Sequence, residues 1–136
     1  FQNLDELVKN NNFVINCLPL NNSTKECFKL STFTSMSSYS YFINVGRGDT
    51  VNEKDLFYVL DNNLIRGAFL DVVQNEPIKK DNQLLYLDNI FISPHIANFS
   101  NKSQDIQIKD FIVNLSRYNQ NKPLLNVVYN SIGERI

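Results

Sequence analysis

The sequence predicts an α/β domain: a parallel sheet of about four strands, helices between them, and a long helix towards the C-terminal end. Three observations predict it. Short runs rich in β-branched and aromatic residues recur at Phe13–Leu18, Tyr41–Val45, Gly67–Val73 and Asn89–Ser93. Stretches with helical spacing of apolar residues stand among them, giving strand, helix, strand, helix, strand, strand, helix. Residues able to do chemistry fall at or just beyond the carboxyl ends of these runs, where open α/β sheets bind their ligands. Such a parallel sheet is expected to be covered on both faces.

The elements follow in order. Leu4, Leu7 and Val8 mark the end of a short amphipathic helix, broken by Asn10–Asn12. The run Phe13–Leu18 is a buried strand closed by Pro19. Ser23 and Glu26 have capping-box spacing, which predicts a helix from about Thr24. A second short helix is expected after Ser31, with Phe33 and Met36 facing inward. The strand Tyr41–Val45 leads into Gly46-Arg47-Gly48, whose glycines permit a sharp turn and a close approach to a ligand. Asn52 is a helix N-cap, with Val51 and Leu56 as a hydrophobic staple, and Leu56, Val59, Leu60 and Leu64 form the stripe of a helix over about 53–62. The third and fourth strands bracket a polar loop at Lys79–Asn82. A long helix is predicted over about 101–119, with Ile108, Phe111, Ile112, Leu115 and Tyr118 on one face, followed by an apolar stretch at Leu124–Val128.

At 136 residues the chain can form one domain with its own core. A net charge of -1 gives no electrostatic reason to expect nucleic acid or an anionic membrane. No apolar stretch approaches the length of a transmembrane helix. Cys17 and Cys27 are the only cysteines and have no metal-ligand company. They are expected to be buried free thiols of a cytoplasmic protein, and no metal is expected.

Arg47, Glu76 and His95, with Asp71 nearby, all follow strands. His95 is the only histidine and the side chain best suited to exchange a proton near neutral pH. A carboxylate such as Glu76 would orient its ring and stabilise the protonated form. Arg47 can grip a carboxylate with two parallel hydrogen bonds and polarise a carbonyl. The set suits proton-coupled reduction of a 2-oxo acid. Each residue also has a plainer reading: His95 as a turn residue, Glu76-Pro77 as a turn, Arg47 as an ion-pair partner, Asp71 as a backbone cap.

Taken together, the stretches resemble the D-2-hydroxyacid dehydrogenase family. The matching pieces are Cys17-Leu18-Pro19-Leu20 with Ser23-Thr24, Ile43-Asn44-Val45-Gly46-Arg47-Gly48, Leu70-Asp71-Val72-Val73, Glu76-Pro77, Ser93-Pro94-His95-Ile96-Ala97, Asn114-Leu115 and Asn126-Val127-Val128. The resemblance runs in one order over almost the whole chain. It implies part of a Rossmann-like doubly wound sheet: residues 1–100 as the C-terminal half of the NAD(P)-binding domain, and 101–136 as a long helix and tail that returns to the substrate domain. It also implies roles. Arg47 would bind the substrate carboxylate and carbonyl, His95 would be the general acid in reduction, and Glu76 its carboxylate partner. Asp71 would stand by the nicotinamide carboxamide. Leu18, Pro19 and Thr24 would border the adenosine, and Asn44, Val45, Gly46 and Ala97 the nicotinamide pocket, with Arg47 and His95 also beside the cofactor.

The family's Gly-x-Gly-x-x-Gly fingerprint is missing, since Gly46, Gly48, Gly67 and Gly133 are the only glycines. Asn98 stands where many members carry a glycine. The expected function is therefore that of the C-terminal portion of an oxidoreductase. It would move a hydride between NAD or NADP, with NAD favoured, and a small 2-oxo acid such as glyoxylate, hydroxypyruvate or pyruvate. The isolated chain is expected to turn over little and to associate as a homodimer or through the uncovered edge of its first strand. The alternatives are a non-catalytic NAD-binding regulatory or scaffold relative, of the corepressor kind, and an unrelated structural α/β domain.

Overall fold

Four short strands pair in parallel in the order in which the chain makes them: β1 (Phe13–Asn16), β2 (Tyr41–Asn44), β3 (Gly67–Leu70) and β4 (Ile90–Ile92). The computed structural model describes residues 3–128, and the chain divides into units 1–97 and 98–136. Helices α1 (Leu4–Val8), α2 (Leu30–Thr34) and α3 (Glu53–Asp61) belong to the first unit, and α4 (Asn101–Asn119) to the second. Residues 129–136 of the predicted closing tail lie outside the described residues.

Side chains alternate across a strand, so the register sorts them into two faces. Val14, Asn16, Phe42, Asn44, Ala68 and Leu70 share one face. It packs into a core with Val8 of α1, Phe33 of α2, and Leu56, Val59 and Leu60 of α3. The opposite face carries Phe13, Ile15, Tyr41, Ile43, Phe69 and Phe91. Phe13 and Phe91 are each 61% exposed and Ile15 59%. All three helices of this unit contribute to the same core, and the opposite face is exposed within this chain. On the open face the rings of Phe13, Tyr41, Phe69 and Phe91 form a ladder, with successive centroids 5.8, 5.8 and 6.3 Å apart.

Helix α3 begins as predicted: the Asn52 side chain accepts from the Asp55 amide at 3.1 Å, and Val51 and Leu56 are both buried. The helix expected from Thr24 does not form. Asn21 accepts from the Ser23 and Thr24 amides, and the Thr24 hydroxyl donates to the Pro19 carbonyl at 2.7 Å. These bonds hold a turn, and Glu26, at φ 47°, ends it in the left-handed region. The thiol expectation also changes. Both cysteines are free, but Cys17 is exposed just past β1 and Cys27 only part-buried, with burial pushing the Cys27 thiol up against backbone hydrogen bonds from Phe28 and its own amide.

In the second unit a reciprocal capping box of Ser100 and Ser103 starts α4. The Asn114 side chain holds both backbone groups of Leu125, and Arg117 donates to the Pro123 carbonyl at 2.6 Å. The stretch after the helix is thus folded back along it. The predicted apolar stripe is exposed, Phe111 at 67% and Tyr118 at 70%. No helix of the described residues is long and apolar enough to cross a membrane.

Candidate active site

Parallel strands bring their carboxyl ends to one rim, and the first unit mounts its charged side chains there. Beyond β4, Pro94 leads into His95, whose backbone is left-handed at φ 57°, a conformation that costs an ordinary residue roughly 1 kcal/mol or more. Asp71, the first residue past β3, holds the strained loop. Its carboxylate accepts from the Ile96 and Ala97 amides, each at 2.8 Å, and from the Ser93 hydroxyl. Burial pulls the Asp71 carboxyl up. The hydrogen bonds from Ser93, Ala97 and Ile96, with His95 nearby, outweigh it and leave the group below its ordinary value.

The loop so held aims the imidazole at Glu76. His95 Nδ1 lies 2.7 Å from Glu76 Oε2, while Glu76 Oε1 accepts from the Val73 amide at 3.2 Å. With Nδ1 committed to Glu76, Nε2 is the ring nitrogen left for a ligand. A cleft of about 390 Å³ opens beside the pair, lined by Asp71, Val73, Pro77, Ile78, Leu85 and Ile92 among others.

Arg47 leaves the carboxyl end of β2 in a turn between two neighbouring backbones. A Cβ on Gly46 would stand 2.7 Å from the Leu18 carbonyl oxygen, and one on Gly48 would stand 2.0 Å from that of Val73. The glycines therefore serve close approach to adjacent chain on both sides. Arg47 is exposed, and its guanidinium donates to the Gly46 carbonyl at 2.7 Å. No carboxylate among the described residues pairs with it. His95 and Glu76 are in contact, and the Arg47 turn abuts Val73, which binds Glu76. Arg47 itself does not line the His95 cleft.

The residues expected around the cofactor divide into groups. Val45, Asp71 and Ala97 surround a second hollow with Ile43, Ile96 and Ser93, on the open face of the sheet. Leu18, Pro19 and Thr24 lie past β1, where Leu18 lines an apolar groove along the strand's free edge with Leu4, Leu7 and Phe13. Asn44 is 1% exposed, and its amide is turned inward. Three residues missed from sequence matter here: Ser93 on Asp71, and Asn16 and Thr50 behind Arg47. The signal for Asn16 was an amide among apolar residues at an inward-facing register. Among the described residues no three His, Cys, Asp or Glu side chains gather as metal ligands.

The sequence over residues 1–97 matches the family model described as D-isomer specific 2-hydroxyacid dehydrogenase, NAD binding domain. The chain belongs to this family. Among similar dehydrogenase relatives, a protein named probable 2-ketogluconate reductase from Dictyostelium discoideum is 40% identical over 114 residues, 84% of this chain and 34% of the relative. Glyoxylate/hydroxypyruvate reductase B of Klebsiella pneumoniae is 40% identical over 101 residues, 74% of this chain and 31% of its own. The chain thus spans about a third of the length of these relatives. Among solved structures, a D-isomer specific 2-hydroxyacid dehydrogenase from Xanthobacter autotrophicus, in complex with NADPH and MES, superposes with a TM-score of 0.84. It is 28% identical, and the match covers 92% of this chain and 51% of that one. The NADPH-dependent glyoxylate/hydroxypyruvate reductase of Sinorhizobium meliloti, bound to NADP and sulfate, also gives 0.84 at 27% identity, covering 96% and 42%. The four-stranded parallel sheet of this dehydrogenase-family chain is thus that of NAD-binding domains.

Proposed function

We propose that the chain carries the acid–base and substrate-gripping groups of an NAD(P)-dependent oxidoreductase acting on a small 2-oxo/D-2-hydroxy acid. The observation that carries the reading is the 2.7 Å contact of His95 Nδ1 with Glu76, which leaves Nε2 free at the rim of a parallel sheet. Glu76 stabilises the imidazolium, and His95 hands its Nε2 proton to the carbonyl oxygen as that oxygen gains the electron pair of the broken C=O π bond. Arg47 holds the substrate carboxylate and draws charge towards the carbonyl oxygen. A bound reduced nicotinamide would supply the hydride.

The residues present fit the nicotinamide end of that cofactor. The hollow around Val45, Ile96 and Ala97 is apolar, and the Asp71 carboxylate at its edge accepts hydrogen bonds, as an amide such as the carboxamide would require. Leu18, Pro19 and Thr24 would border the adenosine side. No glycine spacing in this sequence makes the turn that cradles a pyrophosphate.

The test uses the intact protein with NADPH, the cofactor of the two solved relatives, and NADH beside it, against glyoxylate and hydroxypyruvate. His95→Ala is expected to lower kcat by about 10²- to 10⁴-fold with cofactor binding retained, and Arg47→Ala to raise KM. Turnover that survives loss of His95 refutes the assignment. Cofactor binding without turnover in the wild type replaces it with a regulatory or scaffold role.

A further inference from the structure

Behind Arg47 lies a closed set of buried amides and hydroxyls that the chemistry above does not use. Asn16 and Asn44 stand opposite each other at the ends of β1 and β2 and are each 1% exposed, and Thr50 is fully buried. Asn16 Nδ2 donates to Asn44 Oδ1 at 2.9 Å and to Thr50 Oγ1 at 2.7 Å. The Thr50 hydroxyl donates onward to the Arg47 carbonyl at 2.6 Å. Asn44 accepts from the Gly46 amide at 3.1 Å through Oδ1, and its Nδ2 donates to the Arg47 carbonyl at 3.3 Å. Finally, Asn16 Oδ1 accepts from the Leu18 amide at 3.0 Å.

The backbone fixes the direction of every bond. Leu18 and Gly46 contribute N–H groups, which only donate, so both asparagine oxygens are assigned. The Arg47 carbonyl only accepts, so the Thr50 hydrogen is committed to it and its lone pairs face Asn16. Asn16 therefore spends both amide hydrogens on the two residues that grip the Arg47 turn, and its oxygen on the segment that leaves β1. No buried side-chain polar atom among the described residues lacks a partner. A network so completely satisfied has a single low-energy arrangement, and removing one member strands the others.

We infer that Asn16 is a positioning residue for substrate binding: acting through Asn44 and Thr50, it sets the Arg47 turn and couples it to the Leu18-Pro19 segment. The inference rests on the proposed role of Arg47 as the substrate's carboxylate clamp. Asn16 touches no ligand in this scheme. It fixes the peptide groups on either side of Arg47, and the guanidinium is itself latched to one of them, the Gly46 carbonyl. Freed of the network, the arginine keeps its charge and loses its aim, which weakens the grip on a planar carboxylate more than it weakens general attraction.

The test compares Asn16→Ala, Thr50→Val, Thr50→Ser and Arg47→Ala in the intact protein, reading KM and kcat for glyoxylate, the Kd for NADPH and the melting temperature. Asn16→Ala and Thr50→Val are each expected to raise KM by about tenfold while kcat changes by no more than about twofold. Thr50→Ser, which keeps the hydroxyl, holds KM at the wild-type value. The double variant Asn16→Ala/Thr50→Val raises KM no further than either alone, because the two act through one turn. A lowered melting temperature with unchanged KM in both single variants makes the network merely structural and overturns the inference. Should Asn16→Ala fail to fold, the contrast of Thr50→Val with Thr50→Ser decides alone: equal KM values overturn the inference, and a KM raised only in the valine variant supports it. Arg47→Ala separates the two levels of the argument. If it leaves KM unchanged, the clamp itself is wrong and the inference falls with it. If it raises KM while the network variants do not, only the positioning claim falls.

Discussion

A methyl group at Gly48 is the smallest change that tests how the rim is assembled. The Cβ of Gly48→Ala would lie 2.0 Å from the Val73 oxygen, 2.1 Å from its carbonyl carbon and 2.5 Å from the Gln74 nitrogen, where ordinary contact begins at 3.4 Å. All three atoms are backbone, so no side chain can swing away, and the Arg47 turn and the Val73 strand exit must separate. Overpacking of a well-packed site costs about 1–3 kcal/mol, and a clash this deep against main chain belongs at or above the top of that range. For a domain of this size about 3 kcal/mol lowers the melting temperature by roughly 12 °C or more. The companion Gly46→Ala meets the Leu18 oxygen at 2.7 Å and should cost less. Thermal unfolding followed by far-ultraviolet circular dichroism on wild type and both variants measures the order. Because the Val73 amide donates to Glu76, any folded Gly48→Ala protein should also lose turnover. A Gly48→Ala melting point within about 2 °C of wild type, or one above that of Gly46→Ala, would refute the wedge.

Two further predictions concern the acid and the core. The Asp71 carboxyl is held below its ordinary value, so its contribution to stability is present above the unfolded-state pKa and is lost as pH falls towards the folded one. Urea midpoints measured from neutral pH down to about pH 3 should therefore drop at the acid end in wild type, and Asp71→Asn should remove that part of the slope while lowering stability at neutral pH. Phe42 is fully buried between Phe28 and Phe33, at ring centroid distances of 4.9 and 5.1 Å, so Phe42→Ala should cost about 3–5 kcal/mol in denaturant unfolding.

What could be read from sequence was whatever rests on local pattern. The four apolar runs are strands, each shorter by a residue or more than its run, because pairing stops before the apolar character does: Val72 and Val73 are buried beyond β3 without belonging to it. Asn52 capped its helix because an asparagine there needs only backbone three residues away. Ser23 and Glu26 had a similar spacing and failed, since Asn21 and Thr24 offered the backbone a competing turn. The contact of Glu76 with His95 was legible from the rule that parallel strands share a rim. The Asn16 network was not, because its members are distant in sequence and an asparagine in a strand reads locally as a poor β-former. Which face the three helices fill was not legible either, because a parallel strand is usually apolar on both sides and apolar content alone does not tell the two apart.

The imidazole and the guanidinium stand on separate mounts, and that separation is itself testable. His95 is held by Asp71, through the Ile96 and Ala97 amides, and by Glu76. Arg47 is held by Asn44 and Thr50, both tied to Asn16. No side-chain hydrogen bond among the described residues joins one set to the other; the backbone bond between them, from the Asp71 amide to the Asn44 carbonyl at 2.9 Å, belongs to the sheet and survives changes of side chain. Effects of changes without shared partners add in free energy, and effects within one set do not. Combining Asn16→Ala with Asp71→Asn should therefore multiply their separate losses in kcat/KM, whereas Asn16→Ala with Thr50→Val should not. The mounts also meet at the contact of Gly48 with Val73, since Val73 binds Glu76. Gly48→Ala should therefore depart from additivity with both sets. A double variant of Asn16 and Asp71 no worse than the poorer single would mean that the two mounts move as one.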